Sequence, residues 1–347
     1  MNKSIRVMGI ESSCDETSVA IVEKKSNETK GRVLSEKTLS QIKKHKKFGG
    51  VVPELASREH SNCLNYLVKS TLKESRINLR NIDAFSATLG PGLLGGLLIG
   101  SNYAKALALA SDKPFIAVNH LQGHILVARM REKIDFPFLC LLISGGHTQL
   151  LIAKNYNFFE LIGETLDDAL GEAFDKVAKL LGYSYPGGPV IEKLAKKSDG
   201  KISFNLPKPL IKSNDLNFSF SGIKTAVRKI TSNSLNSNNK YDLAKEFQDS
   251  VTECLEVKCE KAIDYFKKKY KKGKFIFAGG VASNEYIRNK LKNLCEKKII
   301  KFVVPEQKLC VDNATMIAWA ALERLKRKKK GDILESSPKP KWSLDKL

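Results

Sequence analysis

Two of the five histidines in the chain stand four residues apart, as His120 and His124. On a helix, residues i and i+4 share one face, so both imidazoles can reach a single metal ion. Two histidines need a third ligand, and the same spacing also occurs in pairs of structural histidines. The spacing therefore suggests a metal site and leaves its remaining ligand open.

Zinc peptidases use this spacing with a glutamate directly after the first histidine as the general base. In this chain that position is Leu121, and neither Gln122 nor Gly123 can replace the carboxylate. The sequence therefore argues against a metallopeptidase.

A second segment with chemical potential is ESSCDET, residues 11–17, which gathers acids and hydroxyls between two apolar runs. A tight turn of this composition can hold a phosphate, a metal ion or the proton of a nucleophile. An ordinary polar hairpin tip has the same composition, so the segment alone leaves both interpretations open.

Glycine pairs form a third set, at residues 145–146, 187–188 and 279–280. Each pair by itself is typical of a turn. Together, at strand ends in both halves of the chain, they predict the walls of one nucleotide-binding cleft.

The elements that must position these residues follow a repeated pattern. Apolar runs at residues 5–9 and 19–22 flank the acidic segment, which predicts a β-hairpin. Residues 138–143 and 150–153 flank the turn Ser144-Gly145-Gly146-His147-Thr148 in the same way. The repetition predicts two related domains, each opened by a hairpin.

Further elements are predicted around the first hairpin and the histidines. A strand at residues 83–88 leads through Gly90-Pro91-Gly92 into a helix rich in small residues. A strand at 115–118 precedes a helix that carries both histidines. Asp312 is predicted to be the N-cap of the last helix, NATMIAWAALERLKR.

In the second half, GEAFDKVAKLLGY predicts an amphipathic helix with Gly182 as its C-cap, followed by a turn at YPGGP, residues 185–189. These two elements place Asp175 and Gly188 near each other in the sequence. A strand at 274–278 runs through the glycine pair into a helix that starts near Ser283 and Asn284, a form that presents backbone N–H groups to a nucleotide. Residues 232–240 read as a polar surface loop.

Composition places the chain among soluble globular proteins. Its 347 residues are 42% hydrophobic and 28% charged, which fits about two domains at roughly 150 residues each. The N-terminus lacks the apolar run of a signal peptide, and no stretch reaches the ~20 apolar residues of a membrane span. Seven cysteines stand singly, so we expect reduced, mostly buried thiols. The expected location is the cytoplasm, without membrane association.

The charge balance favours a polyanionic partner, because 59 Lys and Arg against 37 Asp and Glu give a net charge of +22. The excess is mostly lysine in segments such as SNSLNSNNK and KKIIKF, where a compositional bias of the host explains it equally well. Charge alone therefore does not identify the partner.

Nine segments together resemble one family, the tRNA threonylcarbamoyladenosine transferases, in the bacterial form called TsaD. They run in family order from residue 7 to about residue 325. The matching segments are GIESSCDETSVAIV, FGGVVPELASREH, LGPGLLGGLLIG, NHLQGH, LLISGGHTQL, DDALGEAFDKVAKLLGYSYPGGP, NFSFSGIKTAV, GGVASN and VDNATMIAWAALER.

The resemblance implies an α/β fold of the actin, Hsp70 and sugar-kinase (ASKHA) superfamily, with two RNase H-like domains around a central nucleotide cleft. It implies a first domain at residues 1–125, completed by a helix at about 313–330, a second domain at 126–312 and a C-terminal tail at 331–347. It also implies an acyltransferase that moves the threonylcarbamoyl group from threonylcarbamoyl-adenylate to N6 of the adenosine beside the tRNA anticodon.

The resemblance also carries over site residues. Its metal ligands fall on His120, His124 and Asp312, for one divalent ion per subunit, with Fe²⁺ favoured and Zn²⁺ as the alternative. Its catalytic acids fall on Asp15 and Glu16. Its adenylate-binding positions fall on Leu142, Ile143, Ser144, Gly145, Gly146, Asp175, Gly188 and Asn284.

The expected partners are tRNA, threonylcarbamoyl-adenylate and small bacterial proteins of the TsaB and TsaE type, with no DNA. Two other functions remain open on the residues alone. The first is an ATPase or small-molecule kinase of the same fold, since the hairpins and glycine turns would serve ATP as well. The second is a scaffold without catalytic activity that binds nucleotide and partner proteins.

Overall fold

A computed structural model describes residues 4–26, 28–232, 237–327 and 331–347. The chain forms two compact units. The first unit contains residues 1–134, 156–158 and 311–347, and the second contains residues 135–155 and 159–310. The described strands, in chain order, are β1 (Ser4–Glu11), β2 (Glu16–Lys25), β3 (Arg32–Ser40), β4 (Ala84–Gly90), β5 (Phe115–Asn119), β6 (Phe138–Ile143), β7 (Thr148–Ala153), β8 (Phe159–Glu164), β9 (Lys274–Ala278) and β10 (Lys301–Val303).

The described helices are fewer in the first unit than in the second, and short 3-10 turns connect several of them. In chain order they are α1 (Ile42–His45), α2 (Pro53–Ser75), α3 (Leu94–Ala110), α4 (His120–Leu126), α5 (Leu170–Leu180), α6 (Gly187–Ala195), α7 (Ser221–Thr231), α8 (Ser237–Lys269), α9 (Glu285–Lys297), α10 (Gln307–Cys310) and α11 (Ala314–Arg327). No helix in the described ranges is both long enough and apolar enough to cross a membrane.

Each unit is built on a five-stranded sheet, and the two sheets share one topology. The strand orders are β3-β2-β1-β4-β5 and β10-β9-β6-β7-β8. In the first sheet β1 pairs antiparallel with β2 and parallel with β4; in the second, β6 pairs antiparallel with β7 and parallel with β9. The predicted pair of domain-opening hairpins is confirmed, and so is the α/β fold class with a duplicated sheet.

The sequence of the central strands explains why both faces of each sheet are covered. Every residue of β4, β5, β6 and β7 is buried. Such continuous apolar strands need helices on both faces, because alternation of polar and apolar residues would leave one face to water. Around the second sheet the core includes Phe174, Phe247 and Phe275, and around the first it includes Phe85 and Phe115.

Three predicted details are corrected by the structure. YPGGP is not only a turn, because α6 already begins at Gly187. The N-cap of α11 is Asn313 rather than Asp312, since Asn313 Oδ1 accepts from Met316 N at 2.8 Å. Within the predicted loop at 232–240, residues 237–240 already belong to α8, and residues 233–236 lie outside the described residues.

The cysteines agree with their prediction. All seven are free thiols, and those at positions 140, 254, 259, 295 and 310 are buried.

Candidate functional site

The two histidines lie on α4, which follows directly from strand β5. Asn119, the last residue of that strand, caps the helix: its Oδ1 accepts from Leu121 N at 2.9 Å and from Gln122 N at 3.2 Å. An N-cap asparagine starts a helix because it satisfies backbone donors that have no partner within the helix. The cap therefore starts the helix at His120, so that both histidines are helical and, four residues apart, lie on one face.

Both imidazoles turn the same nitrogen toward one carboxylate. Asp312 Oδ1 lies 3.4 Å from His120 Nε2 and 3.1 Å from His124 Nε2. One ligand atom from each of the three residues lies within 4.8 Å of the others. The histidine side chains are 9% and 1% exposed and that of Asp312 is 24% exposed, so the cluster is reachable from the Asp312 side.

This donor set fits a divalent cation. Two imidazole nitrogens and one carboxylate oxygen match sites with three protein ligands, in which a further coordination position stays open for water or substrate. Iron and zinc both accept these donors, so the set leaves the choice of metal open.

Glu11, at the end of β1, holds the outer side of His120. Its Oε2 lies 3.1 Å from His120 Nδ1 and accepts from the Thr88 hydroxyl at 2.6 Å, while its Oε1 accepts from Ser13 N at 2.7 Å. Carboxylate partners of this kind fix the ring orientation of a ligating histidine. His124 has no matching support, because its Nδ1 is buried without a hydrogen-bond partner among the described residues.

Electrostatics inside the cluster favour charged forms in spite of burial. Burial alone would raise the pKa of Asp312, but the imidazoles of His120 and His124 outweigh it and hold that pKa well below its usual value. Burial likewise favours a neutral His120, but Asp312 and Glu11 raise the pKa of His120 well above its usual value. Because a ligating imidazole nitrogen carries no proton, a bound cation would take the place of a proton on Nε2 of each histidine that was protonated before binding.

The predicted catalytic acids lie on the hairpin between β1 and β2. Asp15 is buried, and its carbonyl accepts from Gln41 N at 2.9 Å. Burial, followed by Asp312 and Asp15, raises the pKa of Glu16 to about 9. A bound cation would lower the pKa of Glu16, because positive charge stabilises nearby ionised carboxylates. The structure thus brings Glu16 into the electrostatic environment of Asp312 and Asp15.

The adenylate positions implied by the resemblance all lie in the second unit. Leu142 and Ile143 end β6, and the next three positions form the turn into β7. Because β6 and β9 are parallel neighbours, the segments that follow them leave the same edge of the sheet. The N-terminus of α5 reaches that turn closely, since a Cβ on Gly171 would fall 2.4 Å from the Ser144 carbonyl oxygen.

Asp175 and Asn284 are both engaged with helix N-termini. Asp175 Oδ1 accepts from Gly187 N at 2.5 Å, which places it at the start of α6 beside Gly188. Asn284 caps α9 by accepting from Ile287 N at 2.9 Å, and its Nδ2 donates to Gln248 Oε1 at 3.1 Å. The predicted helix start near Ser283 and Asn284 is confirmed, since α9 begins at Glu285 with Asn284 as its N-cap.

The glycines of these turns divide into two kinds. A Cβ on Gly279 would meet the Ile143 carbonyl oxygen at 2.3 Å, and its φ is +87°, so the fold itself requires glycine there. By contrast, no described atom lies within 4 Å of a Cβ placed on Gly145, Gly146, Gly188 or Gly280. These four leave backbone open to an approaching ligand.

Sequence reasoning included Glu11 only as a member of the acidic segment 11–17, and it did not single out Asn119 or Gln248 as functional positions. The available signals were an acidic residue ending an otherwise apolar strand, and an asparagine immediately before the paired histidines, which is an N-cap signature. No sequence pattern around Gln248 predicts its hydrogen bond with Asn284, because that contact depends on the packing of α8 against the start of α9.

Comparison with known structures defines the class of protein first. HypF from T. kodakarensis aligns over 94% of this chain and 48% of its own, with a TM-score of 0.62 and 14% identity. Component A of (R)-2-hydroxyglutaryl-CoA dehydratase from Acidaminococcus fermentans aligns over 93% and 99%, with a TM-score of 0.52 and 14% identity. At these identities the likeness concerns the fold alone, an α/β fold with a five-stranded sheet in each of two units.

Sequence comparison then gives the family. The pattern of TsaD, tRNA N6-adenosine threonylcarbamoyltransferase, matches residues 32–319. A protein of that name from Brucella suis is 47% identical over 346 residues, covering 98% of this chain and 96% of its own. Its counterpart from Brucella ovis is 46% identical over the same coverage. The chain belongs to the tRNA N6-adenosine threonylcarbamoyltransferase family.

Proposed function

We propose that this protein transfers the threonylcarbamoyl group from threonylcarbamoyl-adenylate to N6 of the adenosine beside the anticodon, in tRNAs that read codons starting with adenine. In this reaction the amine nitrogen bonds to the carbamoyl carbon, the bond from that carbon to the phosphate oxygen breaks, and AMP leaves. The amine also loses a proton. The observation that carries the proposal is the convergence of His120, His124 and Asp312 beside an acidic hairpin, in a chain of this family.

His120, His124 and Asp312 would hold one divalent cation, Fe²⁺ in preference to Zn²⁺. When bound, such an ion supplies Lewis acidity and fixed positive charge for oxygen atoms that become more negative during the reaction. Glu11 keeps the His120 ring oriented for that role. Metal analysis of protein purified without added metal identifies the ion.

Asp15 and Glu16 would orient or deprotonate the attacking amine, a task for carboxylates within hydrogen-bond reach. The open glycines at 145, 146 and 188 would give backbone N–H groups to the adenylate, with Leu142, Ile143, Ser144, Asp175 and Asn284 forming the rest of its site. Aspartate-to-asparagine and glutamate-to-glutamine changes at 15 and 16 separate the two acids by their effects on turnover.

The test is reconstitution with unmodified tRNA, threonylcarbamoyl-adenylate and partner proteins of the TsaB and TsaE type, followed by mass spectrometry of the nucleosides. We expect threonylcarbamoyladenosine and AMP in equal amounts, and loss of both with Asp312→Asn. ATP hydrolysis without nucleoside product would instead favour an ATPase of the same fold. Modification that is unchanged after complete metal removal would refute the role of the cation. The reaction is expected in the cytoplasm.

A further inference from the structure

The C-terminal tail, residues 331–347, is bound to the first unit at two places. At the first, Asp332 N donates to Phe115 O at 2.8 Å, and Asp332 Oδ2 accepts from Ala117 N at 2.8 Å. Arg324 also pairs with the Asp332 carboxylate. These contacts attach the start of the tail along strand β5.

The second place lies at the ends of β4 and β5. Lys339 N donates to Leu89 O at 2.7 Å, and Pro340 O accepts from Gly92 N at 3.1 Å. The approach is close enough that a Cβ on Gly90 would fall 1.9 Å from the Lys339 carbonyl oxygen. Trp342 packs its ring against the apolar core of this unit. The segment 339–342 is therefore fitted to the turn at 90–92.

Trp342 also touches the residue that caps the histidine helix. Its carbonyl oxygen accepts from Asn119 Nδ2 at 2.9 Å, while Asn119 Oδ1 accepts from the first amides of α4. An asparagine amide has a donor end and an acceptor end, so its hydrogen-bond partners determine its orientation. With the Trp342 carbonyl on the donor side, the acceptor side must face the helix. The tail thereby fixes the capping orientation of Asn119.

A second route runs from the tail to the same histidine. The turn held by Pro340 leads into Leu93, whose N–H donates to Ser13 O at 2.7 Å. The Ser13 hydroxyl in turn lies 3.2 Å from His120 Nδ1. The tail thus supports His120 from the side of its helix and from the side of its outer ring nitrogen.

We propose that residues 339–342 are positioning residues for the metal centre, acting through Asn119 and the turn at 90–92 to hold His120 in its ligating orientation. This inference rests on the proposed metal centre. Changes outside the direct ligands of a metal commonly cost about 10- to 100-fold in affinity, and we expect the tail to belong to this class.

The test uses Co²⁺ as the probe, with its affinity and visible absorption spectrum measured on the metal-free full-length protein. Asn119→Asp keeps an acceptor for the α4 cap but replaces the donor that faces Trp342 O with a second oxygen. We expect about tenfold weaker Co²⁺ binding and an altered spectrum. A truncation that removes residues 339–347 should weaken binding by about 10- to 100-fold. In the truncated background, Asn119→Asp should add little, because the partner carbonyl is already gone.

Ile263→Ala serves as the control, since it removes a core side chain of α8 in the second unit, which contains no residue of the tail, and lowers stability. Its Co²⁺ affinity should remain that of the wild type. Wild-type affinity and spectrum in both Asn119→Asp and the truncated protein would overturn the inference, and so would a full additional loss in the double variant. If the wild-type protein itself fails to bind Co²⁺, the metal centre is refuted first, which distinguishes the two failures.

Discussion

The two candidate regions of this protein are made from different parts of the chain. In the first unit, side chains form the site: His120, His124 and Asp312 converge, and Glu11 holds one of the rings. In the second unit, exposed backbone forms the candidate site, because Gly145 and Gly188 carry no side chain and leave open space above the backbone. A cation requires lone pairs held in fixed positions, whereas a nucleotide phosphate binds backbone amides that it can approach.

The two sites are therefore sensitive to opposite kinds of substitution. The side-chain site fails when an atom is removed, even by a conservative substitution. We expect the backbone site to lose ligand binding when a side chain is added to one of its open glycines, although the fold tolerates that side chain.

The largest effect is expected from His120→Ala, His124→Ala or Asp312→Ala. Each should empty the metal site, because only three protein ligands converge there among the described residues. Metal content measured after purification without added metal provides the check. His147→Ala, which removes a histidine from the second unit, should keep its metal, and full occupancy in any of the three ligand variants would contradict the assignment.

Glu11→Gln should lower metal affinity by about 10- to 100-fold, since the amide cannot supply the negative charge that faces His120 Nδ1. Thr88→Val removes only the hydroxyl donor to Glu11 and should have a smaller effect in the same direction. Titration with Co²⁺ measures both. Equal affinities for wild type and Glu11→Gln would show that the ring needs no carboxylate partner.

Gly188→Val should weaken binding of an adenylate analogue by about tenfold or more and leave the free energy of unfolding within about 0.5 kcal/mol of wild type. The reason is that a Cβ at this position has no described atom within 4 Å outside its own helix and chain neighbours, so the added side chain would extend into the open space above the backbone. Calorimetric titration and denaturant unfolding separate the two quantities.

Gly279→Ala is the matched opposite case. Its φ of +87° and the nearby Ile143 carbonyl should make even one methyl group cost more than about 1 kcal/mol of stability. If Gly188→Val unfolds the protein while Gly279→Ala does not, the division of these glycines into two kinds is wrong.

The smallest effect is expected from replacing Lys43, Lys44, Lys46 and Lys47 together by alanine. Lys44 already pairs with Glu59 and Lys47 lies over the exposed ring of Phe48. If these lysines contact tRNA phosphates, the salt dependence of tRNA affinity should flatten by up to about 0.7 to 0.9 log units per lost contact. Adenylate affinity should stay the same. If the dependence of tRNA affinity on salt is unchanged, with partner proteins present, the lysines do not contact tRNA and reflect a compositional bias of the host.

The features that could be predicted from the sequence are local ones. Helical periodicity put His120 and His124 on one face, and apolar runs around polar turns predicted both hairpins, because such patterns depend on neighbouring residues. The resemblance to a family added Asp312. Local reasoning also failed by one residue where two candidate caps adjoin: Asn313 caps α11, while Asp312 turns to the histidines.

Contacts between residues far apart in the sequence depend on the tertiary fold. Glu11 and His120 are 109 positions apart, and Asn119 and Trp342 are 223 apart. No periodicity links such positions, because their contact depends on which strands become neighbours and on where the tail crosses the sheet. The sequence thus specified which side chains could bind a cation, and the fold determined what holds them in place.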